Sequence, residues 1–309
     1  MQALTYFHRH VKISISKINQ KIFIQEKKMF TPKLIVTDLD GTALKNNKDI
    51  ADETIAAFEN CRKKSIHVAI ATARYIGGAA YYANKLHADF QILTDGTLVY
   101  QNGKLIYSRT MSVDMTNNII YELKNYGYIS HIAIPTTTAL YRYPYNPDDT
   151  STNDNTPAKN TKKSGGTLNL NDIKQDHSPG ISFDIDKPFP EEACKIVAHI
   201  SSDNDAKAIA DKCGCAYFHY RGEDTYTFFH KKASKLDAIQ QIADFINISL
   251  DNICAFGDDI NDIEMIEHCG YGVAMENSLD IVKEKADFVT LSNEENGVAK
   301  ALSQIIDIR

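Results

Sequence analysis

From Pro32 onward the chain alternates short, unbroken apolar runs with stretches of helical spacing, and several of the runs end directly in acids. Lys33–Asp38 reads KLIVTD, His67–Ala71 reads HVAIA, and Ile253–Gly257 reads ICAFG. A short run without polar alternation suits a strand buried on both faces. Between the runs, Asp52–Lys64 places Ile55, Phe58 and Cys61 at helical spacing, and Ile76–Leu86 also reads as a helix before a strand at Phe90–Thr94. This alternation predicts an α/β fold whose parallel sheet is covered by helices on both faces. Ligands of such sheets bind beyond the C-terminal ends of the strands, which is where the acids fall.

The rhythm changes after residue 113 and resumes after about residue 226. There Ser234–Ile246 reads as a helix, Ile253–Gly257 as a strand and Asn261–His268 as a helix. Strands at Gly272–Met275 and Phe288–Leu291 and a final helix at Gly297–Ile308 follow. The expected organisation is an N-terminal extension over 1–29, a catalytic core made of 30–112 and 226–309, and an inserted domain over 113–225. Residues 144–180 are polar and rich in Asn, Asp, Thr, Lys and Pro, and read as a surface excursion of the insert. Residues 1–28 are basic, but Lys17, Asn19, Gln20 and Lys21 interrupt any apolar core of a secretory signal, and one Arg with two Ser is a poor transit peptide. They are read as a non-catalytic extension, with a weak organelle-targeting segment as the alternative.

The chain has 309 residues and a formal net charge of −6, which argues against general nucleic-acid binding. No apolar run approaches the roughly 18 residues of a membrane span. The six cysteines form no CxxC and read as scattered reduced thiols, so the expected location is cytoplasmic.

Two acidic clusters carry the chemistry. Asp38-Leu39-Asp40-Gly41-Thr42 follows the first strand, with two carboxylates flanking one residue and a glycine that permits a sharp turn. Gly257-Asp258-Asp259-Ile260-Asn261-Asp262 follows a later strand. Two carboxylates about 4 Å apart repel by about 4 kcal/mol at an effective dielectric of about 20. Asp38 and Asp258 together would therefore need a cation, and all-oxygen ligation fits Mg²⁺. Helix capping explains one of these acids, not all of them. Thr72-Ala73-Arg74 closes the second strand, and Lys235 opens a helix; each alone reads as an ordinary surface feature.

Taken in order, Asp38-x-Asp40-Gly41-Thr42, Thr72, Lys235 and Gly257-Asp258-Asp259-x-Asn261-Asp262 resemble the four motifs of the haloacid dehalogenase (HAD) superfamily. Tyr271-Gly-Val-Ala-Met-Glu-Asn277, Ala286-Asp-Phe-Val-Thr290 and Ser292-Asn-Glu-Glu-Asn-Gly-Val298 narrow the resemblance to the Cof-type, class IIB hydrolases. The resemblance implies a HAD-like Rossmannoid parallel sheet core with an inserted α+β class IIB cap domain. It implies a Mg²⁺-dependent phosphatase acting on a small-molecule phosphate ester, such as a sugar phosphate or a cofactor phosphate.

By the same resemblance, Asp38 is the nucleophile and forms an aspartyl-phosphate, while Asp40 serves as acid and then base. The metal would lie on the Asp38 carboxylate, the Asp40 carbonyl and the Asp258 carboxylate, with Asp259 and Asp262 in support. Leu39, Thr72, Ala73, Lys235 and Asn261 would hold the phosphate. Three departures stand out: Ala73 and Glu276 each replace a usual Gly, and Asp95-Gly96-Thr97 stands in place of Asn-Gly-Ala. Arg74 and Tyr217–Arg221 stay outside the expected site. The alternatives are a sugar phosphomutase of the same fold and a non-catalytic sensor of phosphorylated ligands. No GxxxxGK and no GxGxxG after a strand supports a P-loop or dehydrogenase reading.

Overall fold

The structure is a computed structural model that describes residues 31–144, 180–220 and 224–306. The N-terminal extension, nearly all of the polar 144–180 stretch and Arg221 lie outside the described residues.

The larger sheet contains β1 (Leu34–Thr37), β2 (His67–Ala71), β3 (Phe90–Leu93), β4 (Leu98–Gln101) and β5 (Lys104–Ser108). It also takes in β12 (Ile253–Gly257), β13 (Tyr271–Ala274) and β14 (Phe288–Val289) from late in the chain. Its order is β14-β13-β12-β1-β2-β3-β4-β5. All four residues of β1 are buried. Leu34 and Val36 pack on one face with Ala238, Ile239, Ile242 and Ala243 of helix α5 (Lys235–Phe245). Ile35 packs on the other with Phe58 and Cys61 of α1 (Asp52–Lys63) and Ala301 and Leu302 of α8 (Gly297–Ile306). Burial on both faces is why these strands carry no polar alternation.

β1 lies between β2 and β12, parallel to both, with Thr37 opposite Ile70 and Phe256. Successive strands step away from β1 in opposite directions on its two sides, so the β1–β12 boundary is a topological switch point.

The sheet is not wholly parallel. β3, β4 and β5 are antiparallel neighbours at one edge. The sequence carries a signal for this hairpin in Asn102-Gly103, whose positive φ values of 49° and 76° suit the tight turn between β4 and β5. The helix expected over Asn261–His268 is a 3₁₀ turn, Ile260–Asp262, followed by α6 (Ile263–His268). The Asp262 carboxylate turns back to the N–H groups of Asp258 and Asp259, at 2.9 and 3.1 Å, which tightens the first turn.

Between β5 and α5 the chain builds a second, six-stranded sheet of order β10-β11-β9-β6-β7-β8. Its strands are β6 (Ile132–Pro135), β7 (Leu140–Tyr143), β8 (Ile181–Ser182), β9 (Lys195–His199), β10 (Ala216–His219) and β11 (Thr225–Phe229). Helices α3 (Val113–Asn125) and α4 (Asp203–Cys213) pack on it through Ile119, Leu123, Ala206 and Ile209, against Ile132, Ile134, Ile196 and Phe228. The chain thus inserts an α+β unit between the two parts of the larger sheet, as the resemblance to the class IIB hydrolases implies.

Candidate active site

Asp38 stands at the C-terminal end of β1, and its N–H bonds to Phe256 O of β12 at 2.9 Å. The pairing of two parallel strands therefore fixes both acidic loops side by side. The first loop folds back on itself: the N–H groups of Thr42 and Leu44 both donate to Leu39 O, at 3.2 and 2.8 Å. Gly41 turns it with φ 78°. A Cβ at Gly41 would lie 2.3 Å from Asp258 Oδ2, so the glycine serves both the turn and the approach of the second loop. Gly41→Ala is expected to cost about 1–2 kcal/mol through backbone strain alone and to push Asp258 aside. A melting curve reads the loss; an unchanged melting temperature would contradict this packing.

Lys235 follows the N-cap Ser234, whose side chain accepts from Asp237 N at 3.1 Å. Its own side chain is buried and runs back into the sheet end. Nζ donates to Asp38 Oδ1 at 2.7 Å and to Asp262 Oδ1 at 2.6 Å. Burial opposes the ammonium's charge, but the Asp262 and Asp38 carboxylates outweigh it and hold the pKa above its ordinary value.

The carboxylates themselves are in excess. Burial pushes the Asp38 carboxyl well up; Lys235 opposes this, and Asp262 and Asp258 add to it. Burial and the Asp262 charge push Asp258 up to about 7, although the Thr42 hydroxyl donates to its Oδ1 at 2.7 Å. Asp38, Asp258 and Asp262 each place a carboxylate oxygen within 4.8 Å of the others. One lysine does not neutralise three clustered carboxylates, and the donors are all oxygen. The residues present thus fit a hard divalent cation such as Mg²⁺.

The remaining expected residues are distributed around this cluster. Thr72 is buried, and its Oγ1 accepts the N–H of Arg74 at 3.2 Å. Asn261 donates from Nδ2 to Asp95 Oδ1 at 3.1 Å. Asp259 caps the 3₁₀ turn, accepting from Ile260 N at 2.8 Å, and lies outside the three-carboxylate cluster.

Asp40 points elsewhere. Arg74 holds it with two bonds, Nε to Oδ2 at 2.6 Å and Nη2 to Oδ1 at 2.7 Å, and Lys48 adds a third at 2.8 Å. Burial would raise its pKa, but Arg74 and then Lys48 lower it to about 2.

Four supporting residues lie outside the expected site set, and of these only Lys48 belongs to no motif of the sequence reading. Lys48 and Arg74 grip Asp40. Asn277 donates to Gly41 O at 2.8 Å, and Asn293 donates to Leu44 O at 2.9 Å while its N–H reaches Asn277 Oδ1 at 3.0 Å. The C-terminal motifs thus brace the first loop. Their signal lay in the order of motifs, whereas a lone Asn in a loop carries none.

Among the described residues, no helix is long and apolar enough to cross a membrane. The Bacillus subtilis (strain 168) protein YxeH is 28% identical over 287 residues, covering 89% of this chain and 98% of that protein. YitU of the same strain, a 5-amino-6-(5-phospho-D-ribitylamino)uracil phosphatase, is 25% identical over 281 residues, covering 90% and 98%. The solved structure of the HAD subclass IIB sugar phosphatase BT4131 superposes with a TM-score of 0.72 at 20% identity, covering 90% of this chain and 100% of that one. Residues 35–302 match the family model of the haloacid dehalogenase-like hydrolases, and the chain belongs to that family.

Proposed function

We propose that the protein is a Mg²⁺-dependent phosphatase that hydrolyses a small phosphate monoester through an aspartyl-phosphate on Asp38. The observation that carries this reading is the Asp38 carboxylate itself. It is buried at the strand switch point, held through Oδ1 by Lys235, and faces a cluster of acids that fits a divalent cation.

Lys235 fixes the rotamer of Asp38 and leaves Oδ2 to attack phosphorus. The new bond joins Oδ2 to phosphorus, and the bond from phosphorus to the ester oxygen breaks. Lys235, the Thr72 hydroxyl, the Asn261 amide and the N–H groups of Leu39 and Ala73 hold the phosphoryl oxygens. The Asp38 and Asp258 carboxylates and the Asp40 carbonyl would hold Mg²⁺, with Asp262 beside them. When bound, the ion offsets repulsion between the anionic nucleophile and the phosphate dianion.

Asp40 gives its proton to the departing alkoxide. A water then attacks phosphorus, Asp40 takes the water's proton, and phosphate leaves as Asp38 is restored. Because Arg74 and Lys48 hold Asp40 ionised, the acid step requires it to leave both cations and take up a proton from water before it faces the departing oxygen. The insert over 113–225 acts as the cap that excludes water and reads the alcohol, over a core of 30–112 and 226–309. The relatives' substrates favour a phosphorylated sugar or ribityl compound, or another cofactor phosphate.

The test is phosphate release from a panel of small phosphate esters, with Mg²⁺ and with EDTA. Release should fall by about 10³-fold in EDTA. Asp40→Asn should slow turnover by about 10²–10⁴-fold. A folded, Mg²⁺-binding protein that releases no phosphate from any ester would overturn the proposal. Isomerised sugar phosphate would then identify a mutase.

A further inference from the structure

Lys195 belongs to β9 of the second sheet, yet its ammonium is buried among loops of the first. Nζ donates to Ala73 O, to Asp95 Oδ2 and to the Tyr220 hydroxyl, each at 2.8 Å. Those three bonds use all of its protons. The Tyr220 hydroxyl, from the second sheet's side, donates in turn to Asp95 Oδ2 at 3.2 Å. The other oxygen of Asp95 accepts from Asn261 at 3.1 Å. One connected network therefore joins the second sheet to Ala73 and Asn261, two of the groups assigned above to the phosphate.

The place of Asp95 is unusual. Thr94, Asp95 and Gly96 have successive φ values of 50°, 59° and 95°. A β-branched residue with positive φ is strained, and it persists only where its surroundings enforce it. Here the enforcing bonds run to the Thr72–Arg74 loop: Thr94 N–H to Arg74 O at 3.0 Å and Asp95 N–H to Thr72 O at 3.1 Å. The Asp95 carboxylate only accepts, and it needs a cation when buried. Lys195 is that cation.

We infer that Lys195 is a positioning residue: through the Ala73 carbonyl and Asp95 it makes the phosphate-holding end of the site depend on contact with the second sheet. What the site holds rests on the phosphatase reading; the latch itself rests on the bonds. If the sheets part, Lys195 leaves, Ala73 O loses its donor, and the carboxylate that orients Asn261 is freed to solvent. Phosphate binding and sheet docking then favour each other reciprocally. A buried ion pair contributes little net stability over an apolar contact, but it accepts only one register. The pair thus specifies the docked geometry more than it strengthens it.

The test combines Lys195→Met, Asp95→Asn and the double variant. Two measurements are read in the full protein: binding of inorganic phosphate in Mg²⁺ by calorimetry, and amide exchange at Thr94 and Asp95. Lys195→Met should weaken phosphate binding by about tenfold, within the range usual for coupled sites. It should speed exchange at both amides and lower the melting temperature, because it leaves the buried Asp95 carboxylate without its cation. The double variant removes both charges and should recover most of the loss of phosphate affinity as well as of stability, the non-additivity expected of a directly coupled pair.

Wild-type phosphate affinity and exchange in Lys195→Met would overturn the proposal. So would single-variant losses that simply add in the double. If Lys195→Met does not fold, Lys195→Arg takes its place. It keeps the charge but not the three-way geometry, and wild-type behaviour in it counts against the latch. If the wild-type protein binds no phosphate, the phosphatase reading fails while the exchange measurement still decides the latch.

Discussion

Asp38→Asn is expected to reduce kcat by about 10⁴-fold or more while leaving the protein folded. The amide keeps the volume and can still accept from Lys235, but it cannot form the phosphoenzyme. The same change removes one charge from a crowded set. Asp38 and Asp258 are both pushed toward protonation, and the repulsion comes from the neighbouring carboxylates as well as from burial. Lys235 keeps its bond to Asp262 at 2.6 Å. In EDTA the variant should therefore melt at or above the wild-type temperature, and the rise produced by Mg²⁺ should be smaller. Phosphate-release kinetics and paired melting curves make the check. Turnover near wild type would remove Asp38 from the role of nucleophile, whatever the melting curves show.

Lys235→Ala should damage both stability and turnover. It strands Asp38 and Asp262 in the interior with no cation between them, at 6% and 1% exposure. Breaking a buried pair by removing one partner costs about 3–5 kcal/mol, which for a chain of this size lowers the melting temperature by about 10 °C. Losing a positive charge aimed at the transferring oxygens should lower kcat by a further 10²–10³-fold, roughly. Lys235→Arg should not rescue either property, because a planar guanidinium does not fit a point between two oxygens at 2.6 and 2.7 Å. Mg²⁺ should restore part of the stability of Lys235→Ala, since it supplies charge to the same carboxylates. A melting temperature within a degree or two of wild type would contradict the buried geometry.

The strands and helices around the site were legible because burial on two faces leaves a plain mark. LIVT, HVAIA and ICAFG have no polar alternation, and the helices between them repeat their apolar positions every three or four residues. The β4–β5 hairpin was missed because its strands are short and follow the left-handed Thr94–Gly96 turn, although Asn102-Gly103 marked its own turn. The break of the Asn261–His268 helix was not legible either, since it depends on one carboxylate, Asp262, turning back to two N–H groups.

The sequence by itself determined the alternating architecture, the change of rhythm after residue 113, the two acidic loops and the order of motifs that marks the family. These are local or sequential properties, set by periodicity and by which residue types follow a strand. Only the tertiary structure decided how the charges are shared. Asp40 turns to Arg74 and Lys48, Asp262 joins Asp38 and Asp258 around Lys235, and Asp95 meets Lys195. Lys235 and the Asp38 it pairs with are 197 positions apart in the chain. In a buried, low-dielectric site, distances of 2.6 to 2.8 Å decide which charge neutralises which.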